Sequence, residues 1–529
     1  MYKNALVSVS DKTGLVEFLR PLVEKGLRIV STGGTAEHLK KNGFKVVDIS
    51  EQTGFPEVMG GRVKTLHPNV HMALLSRVGN AEDDKLLAQS GLQPFDLLIC
   101  NLYPFEQAYK KNVAEDKHKS DLVAEDLIEQ IDIGGPTLLR GSAKNFARMT
   151  VLCDPADYNM VLGNENSIQQ RQYLAAKVFA HVSCYDSLVA QALGYYQQKN
   201  NQAETVAQDL LLTTGRKVLD LRYGENPQQW AGWYQRTGAV TGLHQSQILQ
   251  GKPLSYNNIL DVDAALRLAS RFENPTAVAV KHNNPCGVAS SDSLSLALRQ
   301  AVQSDPVSVF GGIIAVNRPL QDEDAEVLAS IFLECVIAPD FSSGFLQKMS
   351  AKKNVRLLKS SMPANDEIFA GRTEIRSVWG GILLQSNDKI SSGPQTWKIH
   401  QFNADCALTE KIKADLVFAE RVCADLKSNA IAIASGEQTL GLGMGQVNRV
   451  DAVQHAIARL KQFFPNAQDH LVLASDAFFP FADSIELAAK AGVRWVIQPG
   501  GSLKDAEVLE RAKELQVNIV LTGERHFRH

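Results

Sequence analysis

Apolar positions at the start of the chain follow the spacings of buried strands and amphipathic helices. Residues 4–9 indicate a strand, and the apolar residues after it have helical spacing: Leu15, Phe18, Leu19, Leu22 and Val23. Residues 27–30 and 45–49 indicate further strands, with a helix between them that ends at Gly43. This βαβαβ order predicts a parallel sheet in an α/β domain.

The rest of the chain divides into three segments. Further strands are expected at residues 95–100 and 150–153, before a long helical region. The polar stretch 197–208 is typical of a domain boundary, and the Ser-, Asn- and Gly-bearing stretch 386–394 of a linker. The expected domains are 1–199, 200–385 and 386–529. The second and third share an order of apolar strand, glycine-bearing turn and amphipathic helix, which suggests a duplication without deciding it.

Length, charge and cysteine spacing narrow the class of protein. At 529 residues the chain exceeds one hydrophobic core, because such cores stop growing near ~250–300 residues. Its 55 basic and 58 acidic residues give no broad field for nucleic acid or anionic lipid. No signal-peptide pattern or membrane-length apolar run is evident, so a cytoplasmic protein is expected. The 7 cysteines form no C-x-x-C pair and are predicted to be buried free thiols.

Two glycine-containing loops lie between a strand end and a helix start. They are SDKTG at residues 10–14 and STGGT at residues 31–35. Open α/β sheets bind ligands at this edge, and loop amides, hydroxyls, the helix dipole and Lys12 would suit a phosphate. Either loop alone is better explained as helix capping by Ser and Thr. Two such loops on adjacent strands favour a phosphate site.

A cluster of basic side chains follows in GGRVKTLHPNVH, residues 60–71. It contains Arg62, Lys64, His67 and His71. Each residue alone would more often be a solvated charge or a satisfied histidine. Asn101 and Tyr103 follow another predicted strand end, Asp132 precedes a predicted helix and Lys144 ends it, so these side chains could converge on one pocket.

Five motifs in this half resemble one enzyme family. SVSDKTG, STGGT, GRVKTLHP, NLYPF and IDIGGPTLLR-x-x-AKN are similar to the cyclohydrolase half of the bifunctional AICAR formyltransferase/IMP cyclohydrolase family. The resemblance implies a methylglyoxal-synthase-like parallel-sheet domain. It implies a nucleotide-phosphate site made by Ser10, Lys12, Thr13, Gly14, Ser31, Thr32, Gly33, Gly34 and Thr35. It implies that the closing ring is surrounded by Arg62, Lys64, Tyr103, Asp132 and Lys144.

Ring closure requires an amide nitrogen to attack a formyl carbon and water to leave, so proton transfer and oxyanion stabilisation suffice. We expect Lys64 to stabilise the developing alkoxide, and no metal or redox cofactor is called for. Two departures from the family pattern stand near this cluster. Met72 and Ala73 replace two glycines, which affects the expected loop path, and Gly141 interrupts a predicted helix, where it lowers stability by ~1 kcal/mol relative to alanine.

A second candidate site lies in AVAVKHNNPCG. Strand 277–280 leads into Lys281 and His282, in a loop limited by Pro285 and Gly287. A Lys-His pair at a strand end suits acid/base chemistry, and in isolation it fits a surface lysine beside a core histidine equally well. The segment LRYGENPQQ, with Arg222 and Tyr223, by itself indicates only an exposed loop.

These segments resemble the transformylase half of the same family. So do FGG at 310–312, APD at 338–340, SNA at 428–430, GMGQVNR, SDAFFPF, PGGS and the terminal RHF, so the resemblance runs from about residue 4 to 529. It implies a duplicated cytidine-deaminase-like α/β transformylase region and a homodimer whose interface contains the site. The implied cosubstrate is 10-formyltetrahydrofolate, with no tightly bound cofactor.

The implied reactions are the last two steps of IMP synthesis, formyl transfer to AICAR and ring closure of the product. His282 would be the base, Lys281 would help protonate the departing folate nitrogen, and Asn429 would steer the formyl group. Substrate contacts are expected from Arg222, Tyr223, Gly311, Gly312, Asp340, Arg449, Phe478, Phe479, Arg525 and Phe527. For any one phenylalanine of SDAFFPF a core position is equally expected.

Two other functions fit part of these observations. Methylglyoxal-synthase-like domains also serve as small-molecule sensors, although Lys64, Tyr103 and Lys144 favour chemistry. An enzyme with transformylase activity alone would result if Met72 and Ala73 had disabled ring closure. The expected partners are small-molecule nucleotide and folate substrates, with no nucleic acid and no membrane.

Overall fold

The protein is described by a computed structural model as two compact units. The described residues are 2–56, 58–59, 63, 65–115, 125–162, 166–194, 210–362, 373–467 and 470–529. Unit 1 consists of Met1–Arg216 and Tyr234–Val240, and unit 2 of Lys217–Trp233 and Thr241–His529. Within the described residues, no helix has the length and apolarity needed to cross a membrane.

Unit 1 contains the predicted parallel sheet. Its five strands are β1 (Asn4–Ser8), β2 (Arg28–Ser31), β3 (Val46–Asp48), β4 (Leu97–Cys100) and β5 (Thr150–Leu152). They are ordered β3-β2-β1-β4-β5, and every neighbouring pair is parallel. The carboxyl ends of all strands therefore meet at one edge, where the two predicted loops lie.

Helices cover this sheet. They are α1 (Leu15–Glu24), α2 (Gly33–Lys41), α3 (Ile49–Thr53), α4 (Pro68–Leu75), α5 (Ala81–Gln89), α6 (Phe105–Ala114), α7 (Glu125–Ile128), α8 (Gly134–Lys144), α9 (Tyr158–Leu162) and α10 (Ile168–Ala192). Helix α1 buries Leu15, Phe18 and Leu19, as its spacing predicts. Gly14 precedes α1 at a φ of 66°, a left-handed conformation that glycine adopts without strain.

Unit 2 contains two repeats of one order of elements. The first comprises β8 (Gln247–Gln250), α11 (Tyr256–Ala269), β9 (Thr276–Lys281), β10 (Asn284–Ser290), α12 (Leu294–Ser304), β11 (Gly312–Val316), α13 (Asp324–Ala329), β12 (Leu333–Ala338), α14 (Ser343–Met349) and β13 (Arg356–Lys359). The second comprises β16 (Lys398–His400), α15 (Glu410–Cys423), β17 (Ile431–Ser435), β18 (Gln438–Gly443), α16 (Arg449–Phe463), β19 (Val472–Ser475), α17 (Asp483–Lys490), β20 (Trp495–Gln498), α18 (Asp505–Glu514) and β21 (Asn518–Leu521).

The twelve strands of the repeats form one sheet, which confirms the suggested duplication. Its order is β16-β21-β20-β19-β17-β18-β10-β9-β11-β12-β13-β8, so each repeat has the same strand order outward from the β10–β18 junction. That junction is antiparallel, with Ala289 opposite Gln438. Helices α11 and α15 share one core on this sheet, in which the ring centres of Phe272 and Phe418 are 5.4 Å apart.

The described part of the chain contains two further antiparallel pairs of strands. One is β6 (Gly215–Leu221) with β7 (Ala231–Arg236), and the other is β14 (Thr373–Val378) with β15 (Gly381–Ser386). The predicted linker begins where β15 ends. It is nevertheless tied to unit 2, because the amides of Ser391 and Ser392 both donate to Glu524, each at 2.9 Å.

Candidate functional site

The two predicted phosphate loops of unit 1 lie at the carboxyl edge of the parallel sheet. The amides of Ser10 and Asp11 donate to Asn101 Oδ1 at 2.6 and 3.0 Å, and Asn101 Nδ2 donates back to the Asp11 carbonyl at 2.8 Å. Asn101 follows β4, so it ties the first loop to a neighbouring strand end. Asp11 also accepts from the Thr13 hydroxyl and amide, which lowers the pKa of the Asp11 carboxyl. Ser10, Thr13 and Gly14 are exposed, and Lys12 is half-buried.

The second loop combines buried hydroxyls with more accessible glycines. Ser31 Oγ donates to the Val7 carbonyl at 2.7 Å, and Thr35 Oγ1 to the Val9 carbonyl at 2.9 Å, so both hydroxyls bind strand β1 or its end. Thr32 precedes α2 without capping it through its side chain. Gly33 is half-buried and Gly34 exposed, which leaves backbone amides at the helix start suited to an anion.

Asp132 and Tyr103 are brought together beside these loops. Asp132 Oδ2 accepts from the Tyr103 amide at 3.3 Å, and Oδ1 accepts from the Gly135 amide at 2.7 Å, at the start of α8. The Asp132 amide donates to Tyr185 Oη at 2.8 Å, and that hydroxyl donates to the Gln130 carbonyl at 2.8 Å. Tyr185 on α10 is a contributor that the sequence motifs did not reveal.

The basic cluster is only partly described. Arg62 and Lys64 lie outside the described residues. His67 caps α4, accepting from the Asn69 amide at 3.2 Å, while burial lowers the pKa of His71. Lys144 is exposed at the end of α8.

The two departures from the family pattern both fall within helices. Met72 and Ala73 continue α4, and Ala73 is buried in the core. Gly141 lies inside α8, where a Cβ would stand 3.7 Å from His71 Nδ1, an ordinary van der Waals distance.

In unit 2, Lys281 and His282 form the end of β9 and the turn into β10. Lys281 Nζ donates to the Phe310 carbonyl at 2.7 Å, and His282 is exposed at a φ of 53°. Gly312 starts β11 beside Val280, whose carbonyl would be 2.8 Å from a Cβ at that position, and Gly311 precedes it at a φ of 71°. Glycine is therefore required for this close packing.

Asn429 of the second repeat lies at the same sheet edge as this turn. β10 and β18 are antiparallel neighbours, so the start of β10 lies beside the end of β18, and Asn284 Oδ1 accepts from the Lys427 amide at 3.3 Å. Asn429 Nδ2 donates to the Gln446 carbonyl at 2.8 Å, and Asn429 Oδ1 accepts from Arg449 Nη2 at 2.7 Å. The fold thus combines groups from both repeats at one edge.

Arg449, expected as a phosphate contact, lies in a buried environment with partners from the protein itself. It is 7% exposed, and its guanidinium also donates to Ser475 Oγ at 3.0 Å and pairs with Asp476. A buried arginine with these partners is suited to orienting Asn429 rather than to meeting a solvated anion.

The predicted aromatic and arginine contacts differ in exposure. Phe478 is half-buried after β19, whereas Phe479 is fully buried in the core, the alternative left open for SDAFFPF. Arg525 and Phe527 are exposed, with the guanidinium 4.5 Å from the ring centre. Arg222 lies over the Tyr223 ring at 5.6 Å.

Asp340 is not brought to this edge. Ile313 of β11 lies opposite Val280 of β9, so the start of β11 is next to Lys281. β12 is parallel to β11, with Gly312 opposite Leu333, so β12 also starts at this edge. Asp340 follows the other end of β12. Asp340 there accepts from Lys359 Nζ at 2.8 Å, which lowers the pKa of the Asp340 carboxyl. Glu334, on the near end of β12 and paired with Arg356 at 2.6 Å, is the carboxylate that strand order places at the Lys281 edge.

Comparisons with known proteins agree with the resemblance. The family model described as AICARFT/IMPCHase bienzyme matches residues 142–459, and the model of the MGS-like domain matches residues 14–137. The chain is 44% identical over 538 residues to the "Bifunctional purine biosynthesis protein PurH" of Caldicellulosiruptor saccharolyticus, with 100% of both chains covered. It is 44% identical over 535 residues to the protein of the same name from Ruminiclostridium cellulolyticum, again with 100% of both covered. The chain belongs to the AICARFT/IMPCHase bienzyme family.

Proposed function

We propose that the chain performs the two activities of its family at the two sites described above, one in each unit. The activities are formyl transfer from 10-formyltetrahydrofolate to the 5-amino group of AICAR and dehydrative ring closure of the product to IMP. The observation that carries the proposal is the Lys281–His282 turn, which lies at one sheet edge with Asn429 of the other repeat.

For formyl transfer, we assign His282 as the base. The AICAR amino nitrogen attacks the formyl carbon while the exposed imidazole takes its proton, and the folate nitrogen leaves with a proton that Lys281 helps supply. Asn429, held by Arg449, directs the formyl oxygen. The proposed substrate contacts remain Arg222, Tyr223, Gly311, Gly312, Phe478, Arg525 and Phe527.

For ring closure, we assign the nucleotide phosphate to the two loops of unit 1. The carboxamide nitrogen attacks the formyl carbon, and water leaves after proton transfer. Asp132, whose carboxylate is fixed by two amides, and Tyr103 would orient the amide and move protons, with Lys144, the last residue of α8, as the third group. Lys64 stays the predicted stabiliser of the alkoxide.

We also propose a homodimer, supported by the β14–β15 ribbon. Along β15 every side chain is exposed, including Ile382 and Leu383 at 53% and 59%, and Trp379 at the turn is 104% exposed. A two-stranded ribbon is marginally stable alone, and an apolar surface of this kind is typical of an interface. Trp379→Ser with Leu383→Ser should lower the mass measured by light scattering to that of a monomer, whereas Leu86→Ser, at an exposed leucine of α5, should not.

Turnover assays separate this function from the alternatives. AICAR with 10-formyltetrahydrofolate should give IMP, and formylated AICAR supplied directly should give it without folate. If formylated AICAR gives no IMP while AICAR with 10-formyltetrahydrofolate still gives formylated AICAR, only a transformylase is left. If neither reaction occurs, a sensor is left. Lys64→Ala should abolish ring closure and spare formyl transfer; normal closure would contradict its assignment. The cytoplasmic location remains a prediction from the sequence.

A further inference from the structure

The turn that carries His282 has a backbone conformation that residues with side chains rarely adopt. Lys281 and Asn284 are opposite one another in the β9–β10 ladder, so His282 and Asn283 form a two-residue loop. Their φ angles are 53° and 62°. This geometry suits a hairpin, but it favours glycine and asparagine over histidine. It persists only where surrounding contacts hold the turn.

Asp261 of α11 provides such a contact. Its Oδ1 accepts from the Asn283 amide at 2.6 Å, and its Oδ2 accepts from the His282 amide at 3.3 Å. One carboxylate thus binds both amides of the loop. Burial raises the pKa of Asp261, while the two amide bonds oppose that rise, as expected of a carboxylate enclosed by the turn.

The second repeat contains the same contact without the catalytic side chains. Asp415 is the sixth residue of α15, as Asp261 is of α11, and its Oδ1 accepts from the Glu437 amide at 2.7 Å. The β17–β18 loop has the same left-handed pair, with φ angles of 59° and 50° at Gly436 and Glu437. By strand order, Gly436 therefore stands where the first repeat has His282. The carboxylate contact belongs to the repeat, whereas the imidazole occurs in one copy only.

We propose that Asp261 is a positioning residue for formyl transfer, holding the His282–Asn283 loop so that the imidazole reaches the substrate amine. The inference rests on the proposed roles of Lys281 and His282. Asp261 does not touch the substrate and acts through the backbone amides of His282 and Asn283. Both carboxylate oxygens are needed, because an asparagine would present a donor group to one of the two amides.

The test compares Asp261→Asn with Asp415→Asn in the full-length protein. Each change removes one acceptor from the same place in its repeat, so a purely structural role predicts similar effects. We expect Asp261→Asn to lower kcat of formyl transfer by about 10²-fold, the effect of a reacting group displaced by ~1 Å, with KM for AICAR unchanged. Asp415→Asn should keep wild-type kcat. Ring closure should be unchanged in both, since it takes place in unit 1.

A wild-type kcat in folded Asp261→Asn, or equal losses in both variants, would overturn the inference. If Asp261→Asn gives no folded protein, Asp261→Glu serves instead, because it keeps the charge and moves the carboxylate by one methylene. A wild-type kcat in that variant would likewise overturn it. Absence of formyl transfer in the wild-type protein would instead overturn the proposed function, which is therefore measured first.

Discussion

Tyr185→Phe removes the hydroxyl group that joins two backbone positions beside Asp132. Tyr185 Oη accepts from the Asp132 amide and donates to the Gln130 carbonyl, both at 2.8 Å. Burial raises the pKa of Tyr185 to about 12, so the hydroxyl is neutral at physiological pH. Two neutral hydrogen bonds contribute about 2 kcal/mol together. Because residues 130 and 132 are half-buried, water replaces part of this, leaving a loss of ~1–2 kcal/mol in the free energy of unfolding of unit 1.

The same change should slow ring closure by about tenfold, because the segment that presents Asp132 loses a fixed point. The assay is the conversion of formylated AICAR to IMP, with urea unfolding measured in parallel. Tyr109→Phe is the matched control, since Tyr109 packs in the same small cluster and makes no side-chain hydrogen bond within the described residues. Equal rates and stabilities for the wild-type protein and both variants would refute the role of the Tyr185 hydroxyl.

Three further changes test separate parts of the molecule. His282→Ala should abolish formyl transfer and leave ring closure intact, and loss of both in folded protein would contradict two separate sites. Gly141→Ala should raise the free energy of unfolding by ~0.5–1 kcal/mol, because alanine loses less backbone entropy than glycine in a helix and a Cβ there fits, at 3.7 Å from His71 Nδ1. A fall in the urea midpoint would contradict this. Burial raises the pKa of Asp425 but the guanidinium of Arg271, with those of Arg267 and Arg528, outweighs it and lowers the pKa from 3.8 to about 2. Asp425 therefore contributes ~2 kcal/mol to the free energy of unfolding above pH ~4, and this is lost as the pH falls toward ~2. Asp425→Asn should flatten the dependence of stability on pH over that range. At neutral pH it should lower the free energy of unfolding by about 3–5 kcal/mol, because it leaves the buried guanidinium groups without their counter-charge.

Local patterns in the chain were sufficient to predict the fold of unit 1. The apolar spacing of α1 and the short strands around it predicted a parallel sheet, and a parallel sheet places its loops at one edge. The position of the two proposed phosphate loops followed from this, because it depends on strand direction alone. Local patterns also predicted the Lys281–His282 pair, since a strand end beside proline and glycine can be recognised within a few residues.

Local patterns could not predict contacts between residues distant in sequence. Asp261 lies 22 residues before Asn283, and Tyr185 lies 53 residues after Asp132. Neither residue belongs to one of the recognised motifs. Each accepts a hydrogen bond from a backbone amide in a distant part of the chain, and such a contact leaves no local pattern. The equal placement of Asp261 and Asp415 in their helices was a possible signal, but it required the two repeats to be aligned first.

The sequence by itself determined the class of fold, the family and the segments that carry the candidate residues of the two proposed sites, because these depend on periodicity and on short motifs. The tertiary structure decided which of those segments meet. Strand order brought Asn429 beside the His282 turn and placed Asp340 at the opposite edge, while packing buried Arg449 and Phe479. Proximity across a sheet depends on strand pairing between distant parts of the chain, and a motif carries no record of its neighbour in the sheet.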